Sequence, residues 1–264
     1  MAKSAASTLR TAGWLLLSVA SAHAAEPYAS DWAKGLKSSA RLIAASRTLA
    51  GVEIQLAPGA ITYWRNPGDA GLPPTFSFEG SSNLAHAEVR FPPPIRIREG
   101  DGEAFGYDRS VILPIEAQAS DPAKPVELAL KLDYAVCEKI CVPAQARLNL
   151  TLASDQGSPF AQSLLLAQSA TPRHADWRDL RGSLAVAGAN RWRLCVPRQA
   201  GATRDAFVEP PELWWIAVSS QPGADSCFSL EVKQKPEGAS LPVTALLTIT
   251  GGDGPIETSI TLAP

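Results

Sequence analysis

Large apolar side chains recur at every second position from Val126 to Val136. Val126, Leu128, Leu130, Leu132, Tyr134 and Val136 share one face, and Glu127, Lys131 and Asp133 share the other. A period of two is the pattern of a strand with one buried face. After a short break, Leu148, Leu150 and Leu152 resume the alternation, so the segment predicts an antiparallel hairpin. Shorter runs of the same kind precede it. Val52, Ile54 and Leu56 mark a strand over Leu49–Leu56, which Pro58-Gly59 ends as a turn. Ile61 to Trp64 reads as a strand stopped by Asn66-Pro67-Gly68, and Thr75–Phe78, Val89–Phe91 and Ser110–Ile115 read as further short strands.

The second half repeats the style without repeating the sequence. Leu184–Val186 is a weak strand, and Trp192, Leu194 and Val196 mark a strong one. Leu213–Val218 is continuously apolar and predicts a strand buried on both faces. Phe228, Leu230 and Val232 alternate, and Val243–Ile249 and Ile256–Leu262 complete about six strands. Ser158-Pro159-Phe160 reads as a helix start, with a capping serine and proline in the first turn, and the helix is expected to end near Ala170, before Pro172. The fold class is therefore all-β: two tandem antiparallel β-sandwich domains joined by a short helical linker. The expected boundaries are 25–153, 154–174 for the linker and 175–264. Abundant proline (22 residues) fits many turns between short strands.

The amino terminus reads as an export signal over residues 1–24. Lys3 and Arg10 give a positive start, Trp14 to Ala20 a short apolar core, and Ala22-His23-Ala24 a small-x-small cleavage site before Ala25. The apolar run is too short to span a bilayer, and no later segment of the mature chain is long and apolar enough. The expected destination is an oxidising space outside the cytoplasm, where disulfides persist. A formal net charge of -2 gives no nucleic-acid footprint.

Four cysteines form two pairs in the sequence. Cys137 and Cys141 bracket the tip of the predicted hairpin. A ring this small constrains the unfolded chain by only about 2 kcal/mol, a poor staple but a bond suited to being made and broken. Lys139 inside the ring favours a thiolate by its charge, and Glu138 opposes it. Tyr63 and Tyr134 are candidate hydrogen-bond donors to the sulfurs, with core packing favoured for Tyr134. Cys195 shares a strand face with Arg191 and Arg193, and Cys227 one with Ser229 and Glu231, so the two can meet across neighbouring strands. A bridge there closes a longer loop worth about 3.7 kcal/mol and is expected to be structural.

Together with the export signal, Thr62-Tyr63-Trp64-Arg65, Gly106-Tyr107-Asp108-Arg109, Val111-Ile112-Leu113-Pro114 and Tyr134-Ala135-Val136-Cys137 through Cys141-Val142-Pro143 resemble the N-terminal periplasmic domain of the DsbD thiol:disulfide interchange family, over about residues 30–152. The resemblance implies an immunoglobulin-like sandwich. It implies a catalytic pair, Cys137 and Cys141, of which either attacks and the other resolves. A membrane-embedded electron donor and oxidised thioredoxin-like or disulfide isomerase-like periplasmic proteins are the implied partners, in a protein-disulfide reductase type of reaction that serves cell redox homeostasis without a cofactor. It also implies a cap loop over the sulfurs, matched here to Arg98–Phe105, with Phe105 as the cap and Asp101 and Glu103 beside it. The family's membrane and thioredoxin-like domains have no counterpart in this chain and must come from other chains.

Two other readings compete. Two thiolates suit Cu(I), but only His86 and His174 remain in the mature chain as imidazole ligands and neither is near the cysteines in sequence, so no metal is expected. The other is a non-catalytic interaction module with inert disulfides. No Gly-x-Ser-x-Gly elbow or zinc-type histidine cluster supports a hydrolase.

Overall fold

The computed structural model describes residues 27–99, 102–153, 155–197, 204–219 and 227–264. The proposed export signal lies outside the described residues. The first half contains β1 (Ala33–Lys34), β2 (Ser38–Ala44), β3 (Leu49–Leu56), β4 (Ile61–Gly68), β5 (Thr75–Ser77), β6 (Leu84–Val89), β7 (Ile95–Glu99), β8 (Gly102–Tyr107), β9 (Val111–Ala119), β10 (Val126–Cys137) and β11 (Cys141–Leu152). The helix α1 (Ala161–Ser169) follows. The second half adds β12 (Arg173–His174), β13 (Ser183–Gly188), β14 (Arg191–Cys195), β15 (Ala206–Glu209), β16 (Trp215–Val218), β17 (Cys227–Gln234), β18 (Val243–Ile249) and β19 (Ile256–Leu262). The protein is all-β, with one short helix among the described residues.

Two sheets form the first half. Their strand orders are β1-β2-β3-β9-β6 and β11-β10-β4-β8-β7, with β5 alongside β10. Leu42, Val52, Ile54, Leu113 and Ile115 of the first sheet meet Leu128, Leu130, Leu132, Leu148 and Leu150 of the second in one buried cluster. The alternation along β10 puts every second side chain into that cluster. Two further sheets form the second half, β12-β19-β18-β15 and β13-β14-β17-β16, around Trp192, Leu194, Phe228, Leu230, Leu247 and Ile260. All pairings are antiparallel except β12 with β19.

Three expectations need correction. The strand through Ile61–Trp64 does not stop at Asn66; β4 runs on to Gly68, with an irregularity in its pairing to β8 that absorbs Pro67. The helix starts two residues late, because the Ser158 hydroxyl donates to the Ala44 carbonyl and accepts from the Phe160 backbone at 3.1 Å, leaving α1 without a side-chain cap. Leu213–Val218 is not buried on both faces. β16 is the edge of its sheet, and Leu213, held at φ 65°, and Trp215 are 70% and 41% exposed. The helix also does more than span a gap: Leu164 is fully buried against Ile43, Leu49 and Ile112. A Cβ on Gly51 would stand 2.6 Å from the Leu164 methyl, so this glycine lets the helix lie close on β3.

The halves are fastened through β15. Phe207 leaves its own half and enters the first core, edge-on to Trp64 at 5.9 Å and to Phe105 at 5.0 Å between ring centres. Arg65 on β4 reaches Glu209 and Glu257, and the Asn66 amide donates to the Val208 carbonyl at 2.9 Å.

Candidate functional site: a disulfide at the hairpin tip

β10 and β11 pair without interruption from Val126 opposite Leu152 to Cys137 opposite Cys141. Residues 138–140 close the tip, and the two cysteines are bonded to each other. Their surroundings are unequal. Cys137 is 3% exposed, whereas Cys141 is exposed. The end of β10 lies beside β4, with Cys137 opposite Ile61 and the Thr62 hydroxyl donating to the Ala135 carbonyl at 2.9 Å. The face of β10 that carries Lys131 and Asp133 therefore becomes a second small core at this end. Tyr63, Ala104, Ala135 and Cys137 form it, with Ile61 and Ile97 at its edge.

Tyr63 joins this core to the sulfurs. Its hydroxyl donates to Glu99, 2.9 Å from both carboxylate oxygens, and lies 2.7 Å from Cys137 Sγ and 3.4 Å from Cys141 Sγ. Glu99 Oε1 is in turn 3.2 Å from Cys141 Sγ. The phenol carries one proton for two acceptors, so it can serve the carboxylate or a sulfur anion, but not both fully. Gly71 sets the ring's place. At φ +101° it runs so close that a Cβ would stand 2.2 Å from Tyr63 Cε1. On the outer side, Lys37 pairs with Glu138 at 2.8 Å and, with help from Lys139, holds the Glu138 carboxyl below its usual range. Lys139 itself is exposed.

Residues 36–153 match the family model described as thiol:disulfide interchange protein DsbD, N-terminal. That segment is similar to the DsbD N-terminal family. The DsbD-type segment contains both tip cysteines and every residue just described. The crystal structure of the N-terminal periplasmic domain of ScsB from Proteus mirabilis has a similar fold, with a TM-score of 0.69 at 20% identity over 90% of this chain and 99% of that one. The shared fold thus extends past the DsbD-type segment into the second half. No curated protein sequence matches the chain significantly.

The other candidate residues fall in different places. Asp101 lies outside the described residues. Phe105 does not lie against the sulfurs. On β8 it is Ala104 that faces Cys137, and by parity Phe105 faces the other way, into the core against Phe207. Glu103 forms an ion pair with Arg96 rather than standing beside the disulfide. Tyr134 lies in the main core with its hydroxyl 2.7 Å from that of Ser38. The contact that sequence reasoning passed over is Glu99, although it sits inside the stretch matched to the cap loop. Its signal was positional: an acid directly before the sequence Gly-Asp-Gly.

Glu99, Cys137 and Cys141 place one ligand atom each within 4.8 Å of one another. Neither His86 nor His174 belongs to the group. Cys195 and Cys227, opposite each other on β14 and β17, form the second disulfide.

Three phenols resist ionisation. Burial raises the Tyr63 pKa, and the hydrogen bond and charge of Glu99 raise it further. Burial also raises Tyr107, against the charge of Arg65, and Tyr134, against its bond to Ser38. The unfolded chain loses these protons near pH ~10, while the folded chain still holds them. Their stabilising effect is therefore fully present below that pH and is lost as pH rises beyond it. Urea unfolding followed between roughly pH 9 and 11 is expected to show a falling midpoint, with a shallower fall for Tyr63→Phe.

Proposed function

We propose that this protein exchanges thiols and disulfides in the periplasm, with Cys137 and Cys141 as the working pair. The observation that carries the reading is the inequality of the two sulfurs, one exposed and one buried against a phenol. The match of residues 36–153 to the DsbD N-terminal family model supports it, as does the periplasmic origin of the similar ScsB domain. Among the described residues no helix is long and apolar enough to cross a membrane.

Cys141 is the sulfur that partners meet. A donor thiolate attacks Cys141 Sγ, the bond to Cys137 breaks, and Cys137 leaves as a thiolate that the Tyr63 hydroxyl stabilises. A second donor thiol then releases the mixed disulfide, and the pair has gained two electrons and two protons. In the reverse sense, Cys141 attacks an acceptor's disulfide and Cys137 resolves the product. The acceptors are oxidised thioredoxin-like or isomerase-like proteins. Glu99 accepts from the Cys141 thiol in the reduced state and disfavours its thiolate by like charge, which holds the reduced pair against stray oxidants. The chain divides at 1–24, 25–153, 154–174 and 175–264, as an export signal, an immunoglobulin-like sandwich, a linker with its helix and a second sandwich. The Cys195–Cys227 bridge is structural in this scheme. The test is trapping with single-cysteine variants: a partner is expected on Cys137→Ala and none on Cys141→Ala. Recovery of no partner with either would overturn the reading.

A further inference from the structure

We infer that Arg96 is a positioning residue through which the second half holds Glu99 against the exposed sulfur. β7 is the outermost strand of its sheet, paired only with β8. Its two faces look in different directions. Ile97 edges the small core around Cys137, and Glu99, of the same parity, touches Cys141. Arg96 points the other way, into the seam, with a side chain only 10% exposed.

There it meets five groups, four of them from the second half. Nε donates to Asp205 Oδ2 at 2.8 Å and to Oδ1 at 3.0 Å. The terminal nitrogens donate to the carbonyls of Ala206 at 2.8 Å, Val218 at 3.3 Å and Ser219 at 3.3 Å. One of them also pairs with Glu103 on β8. The guanidinium lies 5.1 Å from the ring centres of both Phe105 and Phe207.

A half-buried edge strand with a single neighbour is otherwise free to shift, and its last residue is Glu99. A planar donor fork spread over five acceptors fixes the strand far more firmly than one exposed ion pair would. The second half therefore acts as a clamp on the carboxylate that controls Cys141. This extends the exchange reading only by giving a remote contact control over the reactive sulfur.

The test is the pH profile of Cys141 alkylation in the reduced full-length protein, resolved by peptide from Cys137, Cys195 and Cys227. It needs no partner protein. A carboxylate this close raises a thiol pKa by about one unit or more. Removing it is thus expected to speed alkylation near pH 7 by roughly three-fold, since a ten-fold gain in thiolate is partly offset by lower nucleophilicity. Glu99→Gln should show this gain. Arg96→Met and Asp205→Asn should move the profile the same way, and Asp205→Asn should add nothing to Glu99→Gln. A lowered melting temperature with a wild-type Cys141 profile in both seam variants would make Arg96 merely structural and overturn the inference. Should Arg96→Met fail to fold, Asp205→Asn, a near-isosteric change at a partly exposed residue, carries the same test. A normal response of the profile in a protein that exchanges with no disulfide would leave the clamp standing and refute the function instead.

Discussion

Replacing Cys141 with alanine is expected to abolish exchange altogether, while Cys137→Ala stalls it halfway as a stable mixed disulfide. The asymmetry follows from access. An attacking thiolate must approach a sulfur along the S–S axis, and Cys137 is screened by Tyr63, Ala104 and Ile97. Cys141 stands at the start of β11 with its side chain in solvent. With Cys137 removed, Cys141 can still attack a partner's disulfide, but nothing remains to resolve the product, so the adduct accumulates. With Cys141 removed, Cys137 retains a thiol that partners cannot reach. Non-reducing electrophoresis with mass spectrometry, after acid quenching of cells expressing each variant, checks both halves. Equal adducts on the two variants would show that burial does not set the order of attack.

Phe207→Ala is expected to cost about 3–5 kcal/mol, the range for removing a buried aromatic ring, although its strand belongs to the second half. Phe207 is 1% exposed and fills the space between Trp64 and Phe105. Its loss leaves a cavity in the first core and takes away one side of the seam. The reach of the effect matters more than its size. If the halves stand as one fastened body, hydrogen exchange should rise in β4 and β8 as well as in β15. Protection lost in β15 alone, with a loss in urea unfolding below about 1 kcal/mol, would mean that the ring is a passive lodger.

The hairpin was legible in the sequence because a buried face alternates with an exposed or half-exposed one along β10 from Val126 to Asp133, before both faces are buried at its end. β18 and β19 fall on Val243–Ile249 and Ile256–Leu262, where apolar runs end at Gly and Pro. β7, β8 and β15 were not legible. β15 has four residues, too few for a period, and β8 opens with glycine. β7 alternates Ile95 and Ile97 with arginines, and the burial of Arg96 depends on acceptors more than a hundred residues away. Local pattern carries no trace of such a partner. The same limit placed Phe105 as a cap. An aromatic residue beside Asp and Glu suits a lid, but the parity of β8, fixed by its pairing with β4 and β7, turns it toward Phe207. Glu99 was visible as a residue but not as a neighbour of sulfur.

The most direct measurement is the reduction potential of the Cys137–Cys141 bond, obtained by equilibrating the whole protein in defined thiol buffers and quantifying each disulfide separately. An exchanging pair is expected at roughly -180 to -270 mV, within reach of thioredoxin-like partners. A value below about -300 mV would mark the hairpin bond as an inert brace and contradict its role in exchange.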